Sequence, residues 1–495
     1  MGRRREKPLL ENVCIEAVAA EGKSLAHIEG KVLFVPQAVP GDVVDVQINR
    51  SRKGYMEGYI KRLVSPSPQR IEPVCKHYGD CGGCKWQILP YSMQLEAKQQ
   101  QVVDQLERIG HLNLPKISPI LGSDKIYFYR NKLEFTFSSR RWLVKGEDPE
   151  AVTGSDRCGL GFHIGGMFDK VLDIDFCHLQ GEPSNAIRNF VRLYAIEHGF
   201  SFYDLRAQEG LMRTIIVRTT SISEVMLTVV FGPEGEQYVS EKDGAALPGS
   251  PIADLLEAIS AEFPQITSLN YVINSKKNDT INDLDVLVWK GRDCIFEQME
   301  NLRFKIGPKS FYQTNSEQAY RLYSTVRSFA LDKDGLSADK KYISLSDNPI
   351  IYDLYTGTGT IALFLSSIAS KVVGIEYVPE AIEDAKANAK LNGITNATFF
   401  AGDMKDVLNA SFIKENGSPS IVVLDPPRAG IHPDVAQVLI DTAPARIIYV
   451  SCNPASQARD LAIFAEKYDI LAVQPVDMFP QTHHVENVVY LALRS

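Results

Sequence analysis

A cysteine near the C-terminus stands where a nucleophile could act. Cys452 lies in the run Ser451-Cys452-Asn453-Pro454, directly after the apolar segment 445–450. A cysteine at the junction of a buried strand and a polar turn can present its sulfur to a cleft, and a thiolate is a strong nucleophile. Free cysteines are also common in protein cores, so the rest of the sequence must distinguish a catalytic residue from an apolar one.

A second group of cysteines has the spacing of a metal centre. Cys75, Cys81 and Cys84 form a Cys-x5-Cys-x2-Cys motif with two glycines before the last cysteine. Cys177 or Cys158 could supply a fourth thiolate. Four cysteines bind either a [4Fe-4S] cluster or structural zinc. Zinc sites more often use two Cys-x2-Cys pairs, and this sequence has one, so we favour the cluster.

The elements that would position Cys452 are predicted from about residue 306 onward. Apolar runs at 349–355, 371–375 and 421–424 indicate strands that end on glycines or acids. Helical segments are expected between them. This alternation predicts a doubly wound, Rossmann-like α/β sheet that binds its ligand over the carboxyl edge.

The ligand of this sheet is either a dinucleotide or S-adenosylmethionine. Gly357-x-Gly359-x-x-Ala362 satisfies the dinucleotide fingerprint, and Glu376 at the next strand end could bind the ribose of either cofactor. An NAD-dependent oxidoreductase is therefore an alternative. Asp403, Asp425 and Cys452 at later strand ends favour S-adenosylmethionine, because a dehydrogenase has no obvious use for that cysteine.

The N-terminal segment has the pattern of a small RNA-binding barrel. Short β-type runs alternate with turns over residues 11–64, which predicts five strands of an OB-like sheet followed by an extended linker at 65–68. The whole chain has a net charge of −8, but bases outnumber acids within residues 1–76. Cations beside aromatic residues suit nucleic acid. These side chains are Arg50, Arg52, Lys53, Tyr55, Tyr59, Lys61 and Arg62.

Three domains are therefore predicted in a multidomain α/β protein. They are the barrel at 1–66, a central mixed α/β domain with the cysteine motif at 67–305, and the Rossmann-like domain at 306–495. No apolar run approaches the roughly 20 residues of a membrane span. Eight cysteines in 495 residues are too few for a disulfide scaffold, so we predict a cytoplasmic protein, and we expect a monomer.

Seven motifs together resemble a known family. The chain is similar to the uracil-5-methyltransferases of structured RNA, in particular to the 23S ribosomal RNA branch with an N-terminal TRAM domain and a [4Fe-4S] cluster. The transfer-RNA branch shares the catalytic end but is expected to lack both additions. The motifs are VPGD at 39–42, CGGCKWQ at 81–87, YRNK at 129–132, SFYQTN at 310–315, DPPRAG at 425–430, SCNP at 451–454 and HVEN at 484–487.

The resemblance implies a cofactor, a metal group and their ligands. It implies S-adenosylmethionine bound by Gln313, Tyr355, Thr360, Glu376, Asp403 and Asp425, and a [4Fe-4S] cluster bound by Cys75, Cys81, Cys84 and Cys177. Tyr355 and Thr360 replace the more frequent phenylalanine and asparagine, so contacts to the methionine part of the cofactor can differ.

The resemblance also implies a covalent mechanism. Cys452 would add to carbon 6 of uracil and make carbon 5 nucleophilic, and Glu486 would remove the carbon 5 proton after methyl transfer. His483 and His484 are competing bases. Arg428 follows Pro427 where the cytosine-5 enzymes place a second cysteine, which favours uracil.

The RNA partner is expected to present an unpaired base. A uridine inside a helix is inaccessible, so it must be flipped out or lie in a loop. Arg130 and Lys132 are predicted backbone contacts. Transfer RNA is the alternative substrate, and a ribosome-assembly factor without activity is the alternative class. The segments 232–251 and 331–348 resemble polar insertions without an assigned role.

Overall fold

The fold is known from a computed structural model that describes residues 8–339, 341–343, 345 and 348–495. The N-terminal sheet contains β1 (Leu9–Cys14), β2 (Ala17–Val18), β3 (Lys23–Ile28), β4 (Lys31–Pro36), β5 (Val43–Ser51) and β6 (Tyr55–Ser65). Its order is β1-β5-β6-β4-β3-β2. Residues 15 and 16 join the two edge strands, so the sheet must curl until its edges meet. The barrel prediction is confirmed. The structure has six strands rather than the predicted five, and one of the six, β2, has only two residues.

The predicted linker after the barrel is held in place by hydrogen bonds. Ser67 is buried, and its N–H donates to Asp42 Oδ1 at 2.9 Å. Arg70 Nη2 donates to Asp42 Oδ2 at 2.6 Å. Burial of Asp42 requires these donors, because an unpaired buried carboxylate is costly. The segment 65–68 is therefore anchored to the barrel and is not a free spacer.

A second sheet forms the middle of the chain. Its elements are α1 (Tyr91–Arg108), β7 (Lys132–Ser138), β8 (Gly159–Ile164), β9 (Met167–Asp173), α2 (Ser184–Glu197), β10 (Met212–Thr219), β11 (Val225–Phe231), α3 (Pro251–Glu262), β12 (Ile266–Ile273) and β13 (Leu287–Gly291). The strand order is β13-β12-β11-β10-β7-β8-β9, and α2 and α3 share a core with this sheet. The insertion at 232–251 packs there through Tyr238, Val239 and Ala246.

The third sheet is the predicted doubly wound one. The elements from residue 295 onward are β14 (Ile295–Met299), β15 (Leu302–Ile306), α4 (Ser316–Leu331), β16 (Ile350–Leu354), α5 (Thr360–Leu365), β17 (Lys371–Glu376), α6 (Pro379–Leu391), β18 (Ala397–Ala401), α7 (Met404–Val407), α8 (Ala410–Asn416), β19 (Ile421–Leu424), α9 (Pro433–Thr442), β20 (Arg446–Ser451), α10 (Pro454–Phe464), β21 (Tyr468–Val476) and β22 (Glu486–Leu493). The order is β18-β17-β16-β19-β20-β22-β21. Strands β16 to β20 pair with one another in parallel, and β22 pairs with β20 in the antiparallel direction. The hairpin β14–β15 forms a separate ladder.

Helices cover both faces of the third sheet, which explains its continuous apolar strands. Val423 faces a core shared with α4, α5 and α6, whereas Val422 faces a core shared with α9 and α10. Helix α1, which precedes the second sheet in sequence, also packs on that latter face through Val102 and Leu106.

One predicted domain boundary, at 305/306, falls inside a strand of the structure. The hairpin β14–β15 spans the predicted boundary at 305/306 and is hydrogen-bonded to α6, since Lys305 N–H donates to Asn388 Oδ1 at 2.7 Å. The three-domain division by residue number stays a prediction. The insertion at 331–348 lies partly outside the described residues, at 340, 344, 346 and 347. No helix in the described ranges combines the length and apolarity that crossing a membrane requires.

Candidate active site

A cavity of about 1290 Å³ opens at the carboxyl edge of the third sheet. The strand order reverses between β16 and β19, and this switch point is where open α/β sheets bind ligands. Seven of the eight predicted catalytic and cofactor residues line the cavity: Gln313, Tyr355, Thr360, Glu376, Asp425, Cys452 and Glu486. Asp403 is not among the described residues that line it.

The sheet register brings Cys452 and Glu486 to the same end of two neighbouring strands. Ser451, the last residue of β20, pairs with Asn487 of antiparallel β22. Cys452 follows Ser451 and Glu486 precedes Asn487, so the two side chains emerge from adjacent positions at one sheet edge. Both line the cavity. A thiol and a carboxylate far apart in sequence are thus held together by backbone pairing.

Polar side chains fix this junction. Gln457 Nε2 donates to the carbonyl of Tyr449 at 2.9 Å, and Asn487 Nδ2 donates to Gln457 Oε1 at 2.8 Å. Asn453 caps α10 by accepting from the Ala455 N–H at 3.3 Å. The following proline suits the first helical position, where no N–H is needed. The Ser-Cys-Asn-Pro motif therefore ends a strand and starts a helix, as its residue types require.

The Cys452 thiol lies in a partly buried, acidic environment. Burial, followed by the charges of Glu486 and Asp425, raises the pKa of Cys452 to about 11, whereas the Arg428 guanidinium opposes the shift. The thiol is therefore protonated in the protein alone. A positive charge bound in the cavity would favour the thiolate, because opposite charges stabilise the ionised form.

The two acids of the site have raised proton affinities. Burial, with a contribution from Asp425, raises the pKa of Glu486 well above its usual range. Burial, followed by the charge of Asp353, raises the pKa of Asp425 to about 7. Once it is ionised, a carboxylate with a raised pKa accepts a proton more readily than an exposed carboxylate does. Glu486 thus has the electrostatic character of a general base.

His483 and His484, the alternative bases, lie in a different environment from that of Glu486. Burial lowers the pKa of His484 to about 4, and the neighbouring His483 contributes to this shift. Neither histidine belongs to the described residues that line the cavity. Geometry therefore favours Glu486 over His484 as the group that faces a reacting base.

The turn between β16 and α5 has the backbone of a ligand loop. Tyr355, Gly357 and Gly359 all have positive φ values, of 67°, 55° and 77°. A Cβ at Gly359 would lie 2.9 Å from the Ala385 Cβ, so glycine is required there by space as well as by conformation. Asp353 Oδ2 accepts from Thr356 Oγ1 at 2.6 Å and from the Ala362 N–H at 2.9 Å, which fixes the turn.

The predicted ribose-binding acid also supports this loop. Glu376 accepts from the Gly357 N–H and from the Val378 N–H, both at 3.1 Å. Asp403 instead caps α7 by accepting from the Lys405 N–H at 3.2 Å. Glu376 is therefore at the cavity wall, whereas Asp403 lies beyond the lining residues. The roles of both in cofactor binding stay predictions.

Three residues near the cavity have no role assigned from the sequence, and one of them, Asp353, is fully buried and is not among the described residues of the lining. Asp353 lies before the glycine turn, where an acid at a strand end is the available signal. Phe311 and Phe479 line the cavity, and Phe311 is 65 % exposed. An exposed aromatic side chain at a cavity mouth suits stacking on a planar ring. Nothing in local sequence distinguishes these phenylalanines from core residues.

The cysteine motif builds a second, smaller cavity of about 150 Å³. Cys75, Cys81, Cys84 and Cys177 all line it, whereas Cys158 is not among the described lining residues. All four are free thiols. Within the described part of the chain, no three His, Cys, Asp or Glu side chains are grouped closely enough for a single metal ion.

The predicted RNA-binding cations of the barrel fall into two sets. Arg50 and Arg62 form ion pairs with Glu57 and Asp45. The others, Arg52, Lys53 and Lys61, are exposed, and Tyr59 is exposed beside them. In the middle of the chain, Lys132 pairs with Glu134. Arg130 stacks on Phe479 with 5.2 Å between the guanidinium carbon and the ring centroid.

Fold and site define a class of protein. A doubly wound sheet with an inserted antiparallel strand, a glycine turn and a nucleophile at the fifth parallel strand is that of an S-adenosylmethionine-dependent methyltransferase. Residues 300–494 match the tRNA (uracil-5-)-methyltransferase family model, and residues 11–61 match the TRAM domain. These two matches lie at opposite ends of the chain.

Relatives extend the match to nearly the full length. An uncharacterized RNA methyltransferase of Bacteroides thetaiotaomicron is 56% identical over 477 residues, which cover 96% of this chain and 100% of the relative. One of Porphyromonas gingivalis is 53% identical over 485 residues, covering 96% and 98%. The crystal structure of Pyrococcus abyssi tRNA (uracil-54, C5)-methyltransferase with S-adenosyl-L-homocysteine superposes with a TM-score of 0.71 at 26% identity, covering 98% of this chain and 100% of that one.

The chain belongs to the RNA uracil-5-methyltransferase family, in the form that carries a TRAM domain. It is an S-adenosylmethionine-dependent RNA methyltransferase. This conclusion decides against the NAD-dependent oxidoreductase and against a protein without catalytic activity. The predicted fold class and the predicted cofactor S-adenosylmethionine are confirmed.

Proposed function

We propose that this enzyme methylates carbon 5 of a specific uridine in 23S ribosomal RNA through a covalent adduct with Cys452. The observation that carries the proposal is the adjacent placement of Cys452 and Glu486 at the paired ends of β20 and β22. The mechanism needs a nucleophile and a base on the same uracil ring. A partly buried thiol beside a buried carboxylate meets that need.

Each residue has a defined task in the reaction. Once the Cys452 thiol has released its proton to solvent, Sγ bonds to carbon 6 of uracil, and the electron pair of the ring double bond moves toward carbon 5. S-adenosylmethionine, when bound, supplies an electrophilic methyl group and a positive charge that favours the thiolate. After carbon 5 carries the methyl group, Glu486 accepts its proton. The electrons of that C–H bond re-form the double bond, and Cys452 leaves as a thiolate.

The cofactor would be held by the predicted residues that line the cavity. Glu376 is suited to the ribose hydroxyls, since its carboxylate lies at the glycine turn. Gln313, Tyr355 and Thr360 line the same space. Asp403 would have to reach the cofactor from outside the present lining, so its contact depends on closure of the turn before α7.

Ribosomal RNA is favoured by two features of the chain. The TRAM domain and the Cys-x5-Cys-x2-Cys motif occur together in the 23S branch that the sequence resembles. Transfer RNA is the second candidate, because the Pyrococcus abyssi enzyme, named for uracil 54 of transfer RNA, aligns with 98% of this chain and so with most of the TRAM residues at 11–61. The TRAM domain alone therefore does not separate the two substrates. The target must present its uridine unpaired in either case.

The experiment that tests the substrate uses cells lacking the gene. Ribosomal and transfer RNA from these cells are digested separately and mapped by mass spectrometry for a missing 5-methyluridine. Purified enzyme is then expected to restore it in 23S RNA, and Cys452→Ala is expected to restore none. Restoration in transfer RNA alone would move the proposal to the second candidate. Methylation by Cys452→Ala would reject the covalent mechanism.

We also propose that the small cavity holds a [4Fe-4S] cluster on Cys75, Cys81, Cys84 and Cys177. The four thiols line one space, and the other lining side chains include the apolar Leu133, Phe162 and Ile174. The Gly83 N–H donates to Cys81 Sγ at 3.4 Å, as expected where backbone amides support thiolates.

The cluster assignment has its own test. Protein purified without oxygen is expected to be brown and to contain iron and sulfide in equal amounts. Cys177→Ala is expected to lose both, whereas Cys158→Ala, the matched cysteine control, keeps them. Stoichiometric zinc in the oxygen-free preparation would contradict the assignment.

A further inference from the structure

An exposed aromatic cluster lies next to the cysteine cavity and has no role in the mechanism. Its members are Tyr127, Phe128, Phe176 and His178. Phe128 is 47 % exposed and Phe176 is 39 % exposed. The ring centroids of Phe128 and Phe176 are 6.4 Å apart, and those of Phe176 and His178 are 4.8 Å apart. Large rings of this kind are normally buried, so a shared exposed cluster indicates a binding surface.

Phe128 is held in an unfavourable backbone conformation. Its φ is 53°, in the left-handed region that bulky side chains avoid. The Phe128 N–H donates to the carbonyl of His178 at 2.8 Å, which ties the two halves of the cluster together. A strained residue that exposes its ring gains little from packing. Strain of this kind concentrates at positions that contact ligands.

The backbone leads directly from this cluster to the active site. Asn131, three residues after Phe128, donates through Nδ2 to the carbonyl of Gln313 at 2.9 Å. Three extended residues span at most about 10 Å. Between them, Arg130 stacks on Phe479, and both Gln313 and Phe479 line the active-site cavity. The aromatic cluster therefore lies close to the mouth where the uridine must enter.

The charges around the cluster suit RNA. Lys76 and Lys125 are exposed near its edges, and their ion pairs with Asp175 and Glu317 are exposed too. Arg130 forms no ion pair with a carboxylate of the described residues. Cations beside exposed rings are the features with which proteins bind unpaired nucleotides, because rings stack on bases and cations offset phosphate charge.

We propose that Phe128 and Phe176 form a stacking platform for an unpaired base that neighbours the target uridine. The inference rests on the proposed RNA substrate and names where that RNA is bound beyond the reacting base. Stacking on the platform would hold the strand unstacked while the uridine occupies the cavity. Phe128 acts by binding RNA and takes no part in bond making.

The test uses oxygen-free, cluster-loaded enzyme and protein-free RNA from cells lacking the gene. Removing one stacked base contact is expected to raise the RNA KM about fivefold or more. Phe128→Ala should show this rise with unchanged kcat, and Phe128→Tyr should restore the wild-type KM. Phe168→Ala, another exposed phenylalanine that lines neither cavity, should leave the KM unchanged.

A second variant separates binding from structure. Phe128→Gly removes the ring and the conformational penalty together, so its apparent Tm should not fall while its RNA KM rises. A lower Tm, or lost iron, with an unchanged RNA KM would overturn the platform and give the cluster a structural or shielding role. An unchanged KM with unchanged Tm and iron would assign the surface to a protein partner instead.

The platform and the proposed function fail in different ways. If wild-type enzyme transfers no methyl group to either RNA, the proposed function is wrong. If wild-type enzyme methylates RNA and Phe128→Ala does so with the same KM, only the platform is wrong. Ultraviolet cross-linking of the same RNA gives a direct readout, since the cross-linked peptide is expected to contain Phe128 and the cross-link to vanish in Phe128→Ala.

Discussion

At the scale of single residues, the active site combines groups whose proton affinities are all raised. Cys452, Glu486 and Asp425 share one partly enclosed, acidic space. Such an arrangement favours the protonated thiol, because burial and nearby acids both disfavour the thiolate. It also prepares Glu486 to accept a proton from carbon, a step that needs a base stronger than an exposed carboxylate.

Asp353 makes a pH-dependent contribution to stability that a single substitution can reveal. Burial raises its pKa from 3.8 to about 7. The folded state therefore binds a proton more tightly than the unfolded state, and stability falls as the pH rises from about 4 to about 7. Asp353→Asn removes this cost. The variant is expected to have a higher apparent Tm than wild type at pH 8, by about 2 °C or more.

The advantage of Asp353→Asn should disappear at low pH. Near pH 4 the wild-type acid is protonated in the folded state, so the two proteins should melt at similar temperatures. Asp406→Asn, at an exposed position, serves as the control and should show the same difference from wild type at both pH values. Thermal melts across the pH range check this. A lower Tm for Asp353→Asn at pH 8 would contradict the account.

Sequence motifs predicted most residues of the active site but not which of them lie next to each other. Cys452 and Glu486 were each recognisable within short motifs. Their proximity depends on the pairing of Ser451 with Asn487, and no pattern within either strand reveals which strand inserts beside β20. The raised proton affinities likewise follow from burial, which only the packed structure defines. The strained conformation of Phe128 could not be predicted from a sequence pattern, because the residue type does not determine its φ value.

At the scale of elements, helix α1 connects the cysteine motif with the segment that leads to Glu486. Lys98 and Asp477 are both fully buried and form an ion pair with Nζ–Oδ1 distance 2.5 Å. Gln94 Nε2 donates to Gln481 Oε1 at 3.0 Å, and the Trp86 N–H donates to the Gln481 carbonyl at 3.2 Å. The loop before β22 is thus fastened to the chain that follows Cys84.

Removing one charge of this pair should be costly. Lys98→Met leaves Asp477 buried without its cation and is expected to lower the free energy of unfolding by about 3–5 kcal/mol. The double variant Lys98→Met/Asp477→Asn should recover part of the loss, because no unpaired charge remains. Lys386→Met, at the exposed pair with Glu383, should change stability by less than about 1 kcal/mol.

Urea denaturation followed by tryptophan fluorescence provides the measurement. Equal stability of Lys98→Met and wild type would show that the buried pair does not hold α1 to the third sheet.

The strands of that sheet were predictable, since their apolar runs are continuous and end on polar turns. The attachment of α1 to the same sheet was not, because Lys98 and Asp477 are hundreds of residues apart and neither position has a local signature.

At the scale of the whole molecule, the predicted RNA surface is distributed over two regions. The barrel supplies Arg52, Lys53 and Lys61, which form no ion pair among the described residues, and the second sheet supplies Arg130 near the active site. The net charge of the chain is −8, so these cations must attract RNA against the repulsion between RNA and the net negative charge of the protein. The barrel could be predicted from its turns and short strands. The sequence does not show which of its cations form ion pairs with acids and which are free to contact RNA.

Neutralising the free cations of the barrel should weaken RNA binding in a salt-dependent way. For Arg52→Gln/Lys53→Gln/Lys61→Gln, each lost phosphate contact is expected to reduce the slope of log affinity against log salt by about 0.7–0.9. The matched control Lys145→Gln/Lys333→Gln/Lys414→Gln changes the same charge at exposed positions elsewhere. Filter binding at several salt concentrations measures both. Equal slopes for the two triple variants would argue against RNA contact by the barrel.

The most direct test of the covalent mechanism uses Glu486→Gln. Without its base, the enzyme should still add Cys452 to carbon 6 and methylate carbon 5, but elimination stops because the carbon 5 proton remains. We expect a slow-migrating protein–RNA band on a denaturing gel that carries label from the methyl group of S-adenosylmethionine, and no such band from Glu486→Gln/Cys452→Ala. Full turnover by Glu486→Gln, or an inactive variant without any adduct, would contradict the assigned role of Glu486.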